Sequence, residues 1–100
     1  MMTLEQFYLI RIAEEATELA QAALKASQFG LFEMIEGTNE TNEGRMTKEY
    51  NDLLSARSML RNLGYEHPIL MEDYGLQNEK INKVEKYLTY SQSLGLVEKD

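Results

Sequence analysis

The chain of 100 residues contains no cysteine and no tryptophan, one proline and one histidine. Without cysteine there is neither a disulfide nor a thiolate ligand or nucleophile, and a reducing compartment is allowed. The lone histidine, His67, stands beside Pro68 in what reads as a connector, where a structural or surface role competes with catalysis. A single histidine excludes the pair of Glu-x-x-His helices that ferritin-like di-iron bundles need. A P-loop, an EF-hand loop and a CxxC motif are absent as well. No apolar run approaches the roughly 18 residues of a membrane span. No basic segment leads into an apolar stretch at the N-terminus, so neither a membrane partner nor a signal peptide is expected and cytoplasmic residence is the default. Positive charge is scarce too: 10 Lys and Arg face 17 Asp and Glu, a net charge of −7. Tracking a phosphate backbone takes a basic stripe, so no nucleic-acid partner is expected. A nucleotide whose charge is neutralised by a metal stays open.

What is present is helical pattern. A hydrophobic fraction of 43% suits a folded domain, and strand-type alternation is almost absent. One domain over 1–100 is expected, with a core small enough that oligomerisation is an expected source of stability. The first helix is predicted to start after Thr3 as N-cap, with Gln6 in the capping-box position, and to run to about Ser27. Leu9, Ile12, Ala16, Leu19, Ala20 and Ala23 supply an apolar stripe. Residues 28–46 are rich in Gly, Asn and Thr and read as a long irregular loop; loops of such length are often functional. A second helix is predicted from Thr47 as N-cap to near Gly64, with Tyr50, Leu53, Leu54, Arg57, Leu60 and Leu63 as its periodic residues. One helical turn is expected through Ile69-Leu70-Met71. The last helix is predicted from Asn78 to Gly95, which sits where a C′ glycine belongs, with Ile81, Val84, Leu88, Ser91 and Leu94 as its stripe.

Within this pattern lie two acidic clusters, Glu14-Glu15-x-x-Glu18 on the first helix and Glu49-x-x-Asp52 on the second. Residues three or four apart share a helix face, so Glu15 and Glu18 can aim at one point, and Glu49 and Asp52 at a point facing them. Glu14 and Glu18 are like charges at i,i+4, a small cost to the helix with no local return. Basic neighbours are few: Arg11 and Lys25 flank the first cluster and Lys48 the second. Four convergent carboxylates repel one another unless a cation sits between them, and a hard divalent ion, Mg²⁺ or Mn²⁺, suits an all-oxygen site.

Glu14-Glu15-Ala-Thr-Glu18 followed by Glu49-Tyr-Asn-Asp52 resembles the EExxE…ExxD signature of MazG-like nucleotide pyrophosphohydrolases, in the all-α NTP pyrophosphatase group that includes dimeric dUTPases. The wording of residues 11–25 and 48–54 fits as well. Lys80-Ile-Asn-Lys83-Val-Glu-Lys86-Tyr87-Leu88 resembles the lysine-bearing last helix of short, often phage-encoded members. The 30 residues from 19 to 48 are long for the family, and no tryptophan is present to stack on a base. The resemblance implies an all-α bundle of this type, completed as a homodimer or homotetramer. It implies hydrolysis of a (deoxy)nucleoside triphosphate to the monophosphate and pyrophosphate, in the host cytoplasm if the chain is phage-encoded. Glu15, Glu18, Glu49 and Asp52 match the family's metal ligands. Glu14 matches the remaining motif glutamate, a group that supports the ligands from behind or a general base; Glu15 is the other catalytic candidate.

Lys80, Lys83 and Tyr87 share a helix face and are substrate-phosphate candidates, Lys83 first; the same lysines also read as surface groups paired with Glu79 and Glu85. Lys25 is a further phosphate candidate. Phe29, Phe32, Asn39 and Asn42 either stack on and read a base or, for the two aromatics, plug the end of the bundle. Two rivals accompany this reading: a non-catalytic helical module whose acidic groove takes a basic partner, and a dUTPase-like specificity within the same superfamily.

Overall fold

In a computed structural model, which describes residues 1–99, the chain forms three helices: α1 (Leu4–Phe29), α2 (Asn42–Arg61) and α3 (Tyr74–Ser93). The described residues contain no strand, only an isolated bridge between Met34 and Thr41. None of the helices is long and apolar enough to cross a membrane. The chain divides into two compact units, Met1–Ile69 and Leu70–Asp100.

The first unit is a hairpin of α1 and α2. Its start is the expected one: the Thr3 hydroxyl accepts from the Gln6 amide at 3.0 Å and the Gln6 side chain accepts from the Thr3 amide at 2.9 Å, a closed capping box. α1 ends at Gly30, whose φ of +107° is accessible to glycine without strain, and whose N–H donates to the Ala26 carbonyl. A Cβ at this position would also meet Glu33 Cγ at 2.8 Å.

α2 begins at Asn42 with Thr41 as N-cap, six residues before the start predicted after Thr47. Its first amide groups find acceptors in the connector. Asn42 N–H donates to the Glu33 carbonyl, Glu43 N–H to that of Leu31, and Gly44 N–H to the Thr41 hydroxyl. Those acceptors satisfy the orphan donors of a helix start. The Asn42 amide donates to the Gly30 carbonyl at 2.8 Å, and the residue is 5% exposed. The irregular segment therefore shrinks to residues 30–41, tightened by Ile35 N–H to Glu40 O at 2.8 Å.

The buried apolar residues are Ala22, Ala26, Ala56 and Leu60. The face α1 turns to α2 runs through Ile12, Glu15, Leu19, Ala22 and Ala26. The predicted stripe is shifted: Leu9, Ala16, Ala20 and Ala23 are exposed, and only Ile12 and Leu19 of it face inward. Ala22 and Ala26 permit close approach of α2 on this face; the predicted stripe carries alanines of its own, so residue size does not choose between the two. On α2, Leu53, Leu54 and Arg57 are half-buried as expected, but Tyr50 and Leu63 are exposed. At the open end of the hairpin the Tyr65 hydroxyl donates to the Glu5 carboxylate at 2.8 Å. Burial pushes this phenol above its ordinary pKa, and the hydrogen bond to Glu5 and the charge of Glu5 push in the same direction.

No helical turn forms over residues 69–71; Leu70 instead takes a positive φ of 52°. In the second unit α3 starts at Tyr74 rather than Asn78, because the Asp73 carboxylate caps the Leu76 amide at 3.1 Å. Its end is as predicted. Gly95 N–H bonds the Gln92 carbonyl and Leu96 N–H that of Ser91, each at 3.0 Å, with Gly95 at φ +74°, a Schellman motif. The apolar members of the α3 stripe are exposed, Ile81 and Val84 each at 51%, and Ser91 is half-buried; a single helix has nothing of its own on which to close the stripe.

Candidate functional site

Pairing Gly30 with Asn42 at one end and Glu5 with Tyr65 at the other makes the hairpin antiparallel. That register sets the middle of α1 against the first half of α2 and brings the two acidic motifs together. One carboxylate oxygen from each of Glu15, Glu18 and Glu49 lies within 4.8 Å of the others. Glu15 and Glu49 are half-buried and Glu18 is exposed, so the trio opens to solvent on one side. Glu15 Oε2 and Glu49 Oε2 are buried without a hydrogen-bond partner. Buried carboxylate oxygens are normally satisfied, and carboxylates cannot donate to one another unless one is protonated.

Glu49 carries the electrostatic consequence. Its side chain is 12% exposed. Its carboxyl is held above the usual carboxylate range first by burial and then by the hydrogen bond that protonation would allow with Glu18; Lys48 pulls the other way. The three oxygens fit a hard dication. Six oxygens around Mg²⁺ at about 2.1 Å lie roughly 3 to 4 Å from one another; the three clustered oxygens lie within 4.8 Å of one another, and Glu15 and Glu49 each keep an oxygen without a hydrogen-bond partner.

The other two motif acids stand apart. Asp52 is one turn on from Glu49, but its Oδ2 accepts from Lys48 Nζ at 2.8 Å, and Lys48 also lies 3.8 Å from Glu49 Oε1. Glu14 pairs with Arg11 at 2.7 Å, and the Arg11 guanidinium in turn sits 5.5 Å over the Phe7 ring. Neither acid contributes an oxygen to the trio. Lys48 was legible in the sequence only as a flanking cation; its reach to both acids of the second motif follows from i,i+4 spacing and adjacency.

Comparison with family models, with curated proteins and with solved structures gives no match.

Two turns toward the connector, the α1–α2 groove widens into a cavity of about 440 Å³, lined among others by Ala22, Lys25, Phe29, Met34, Asn42 and Arg45. That volume lies in the range of small-molecule pockets. Lys25 has no ion pair among the described residues, whereas Arg45 is held by Glu40 through two hydrogen bonds of 2.8 and 3.2 Å. Phe29 and Phe32 do not plug a bundle end: they are 61% and 75% exposed, and only Phe29 lines the cavity. Asn42 is spent on the connector, and Asn39 lies outside the cavity lining. Lys80, Lys83 and Tyr87 are exposed on α3, in the second unit. His67 is exposed in the segment between α2 and α3.

Proposed function

We propose that the chain is a divalent-metal-dependent hydrolase that cleaves a (deoxy)nucleoside triphosphate to the monophosphate and pyrophosphate. The observation that carries this reading is the convergence of Glu15, Glu18 and Glu49, with two buried oxygens left without partners. The motif resemblance supplies the reaction. Glu15, Glu18 and Glu49 would hold Mg²⁺ or Mn²⁺, and Asp52, by resemblance, is a fourth ligand once free of Lys48. When bound, the ion supplies charge neutralisation at the triphosphate and a more acidic water.

The chain's own residues do the rest. Glu15 would accept the proton of a water whose oxygen bonds the α-phosphorus as the bond to the bridging oxygen breaks and pyrophosphate leaves. Glu14 is the poorer base, because Arg11 already occupies its carboxylate. Lys25 contributes positive charge in the cavity two turns from the trio, and the Phe29 ring offers a stacking face for the nucleoside. Lys80, Lys83 and Tyr87 enter as phosphate-binding groups through the resemblance alone.

The proposal includes a homodimer or homotetramer. Leu9, Ile10 and Leu24 on α1 and Ile81, Val84 and Leu88 on α3 are all exposed, and helical bundles of this size close such faces with further helices.

Pyrophosphate release from a panel of the common NTPs and dNTPs with dUTP, in Mg²⁺ or Mn²⁺, tests the reading. Release that is lost in both Glu49→Gln and Asp52→Ala supports it, and a preference for dUTP would assign the dUTPase-like specificity. No release from any substrate, together with no effect of metal on the melting temperature, would sink it and leave the groove as a docking site for a basic partner.

A further inference from the structure

Lys48 is oddly placed for an ordinary surface lysine. Its ammonium lies 2.8 Å from Asp52 and 3.8 Å from Glu49, so it contacts both acids of the second motif. Helix energetics do not account for it. A lysine four residues before an acid is the weaker orientation of an i,i+4 pair. The partners also differ in freedom. Glu49 is 12% exposed and fixed against α1, whereas Lys48 is 63% exposed on a flexible stem. Of the two, the lysine is the group that can leave.

We propose that Lys48 is a resident counter-ion of the acidic cluster, which a divalent cation must displace from Asp52 on entering. This rests on the metal reading above. A dication held by Glu15, Glu18 and Glu49 puts a second positive charge close to the ammonium, and the two repel. Lys48 then turns to solvent, and Asp52 is released toward the ion. Lys48 is a positioning residue: it sets how readily the fourth acid joins the site, and it keeps the crowded carboxylates partly neutralised when divalent ions are scarce.

The test is Mn²⁺ binding to the full chain without nucleotide, followed by the electron paramagnetic resonance signal of free Mn²⁺ at pH 7. Removing an exposed competing pair predicts that Lys48→Met binds Mn²⁺ about two- to five-fold tighter than wild type, while Lys48→Arg, which keeps the cation, stays near wild type. Equal or weaker binding by Lys48→Met overturns the proposal. Glu49→Gln separates the two ideas. If wild type binds no better than Glu49→Gln, the metal reading falls and takes this one with it. If wild type binds, Glu49→Gln does not, and Lys48→Met is unchanged, only the role of Lys48 falls. A second measurement needs no variant: saturating Mg²⁺ shifts the Lys48 ε-methylene resonances of wild type toward those of a free lysine. Resonances that do not move with Mg²⁺ bound overturn the proposal as well.

Discussion

Glu49 ionises against its surroundings: burial and the neighbouring Glu18 oppose its charge, and Lys48 alone favours it. Glu49→Gln keeps the shape and removes one of the crowded charges. It is expected to raise the melting temperature measured without divalent ions at pH 7, and to abolish the further rise that Mn²⁺ gives to wild type. A thermal melt with and without Mn²⁺ reads both effects, and a Mn²⁺ shift that survives the substitution would remove Glu49 from the ligand set. Tyr65 gives a separate prediction at alkaline pH. Its pKa in the folded chain lies above the ordinary 10.0, so the unfolded chain loses the proton first. The contribution of Tyr65 to stability is whole below pH 10 and is lost as pH rises through the folded value. Tyr65→Phe is expected to flatten part of the fall in melting temperature above pH 10, and the tyrosinate absorbance of wild type should show one phenol titrating late. Helical spacing made the trio legible, since Glu15 and Glu18 share a face and Glu49 lies on a second helix of the same kind. It did not reveal which acids were already engaged. The claims of Arg11 on Glu14 and of Lys48 on Asp52 depend on side-chain reach, and spacing only permits them.

The same division holds for elements. Thr3 with Gln6 and Gly95 after α3 were readable because their partners lie within a few residues. The start of α2 was not. Asn-Glu-Thr-Asn-Glu-Gly is turn chemistry by composition, and what converts its second half to helix is the row of acceptors at Leu31, Glu33 and Thr41. Residues far along the chain supply part of the cap. The inward face of α1 was misassigned for a related reason. Leu9 and Ala20 are as apolar as Leu19 and Ala22, and only the approach of α2 chooses between the two stripes. Asn42 is the residue on which the connector turns, and Asn42→Ala removes a bond to Gly30 in a nearly closed site. A loss of about 1 to 3 kcal/mol is expected, and Thr41→Ala is expected to cost about 1 kcal/mol. Urea unfolding measures both; an Asn42→Ala chain as stable as wild type would mean that α2 starts without this tie.

For the molecule as a whole, the net charge of −7 and the exposed apolar faces act in opposite directions. The charge disfavours any compact or associated state, and the apolar faces of α1 and α3 favour association. Light scattering at micromolar concentration is expected to give a mass above that of one chain, and raising NaCl is expected to strengthen the assembly by screening. MgCl₂ at equal ionic strength is expected to raise the melting temperature further than NaCl; equal effects would mean that only screening operates. The hairpin is fastened at both ends, by Asn42 to Gly30 beside the connector and by Tyr65 to Glu5 at the opening, and the three clustered acids lie between the fastenings. Both fastenings oppose the parting of α1 and α2 that would carry Glu49 away from Glu15 and Glu18, so opposite charge between the acids is the remaining way to relieve their crowding. Whatever stability the hairpin gives up by closing on its acids is then recovered as grip on the ion, so a variant that slackens either fastening should hold a cation more weakly even though it touches none of the residues that bind it.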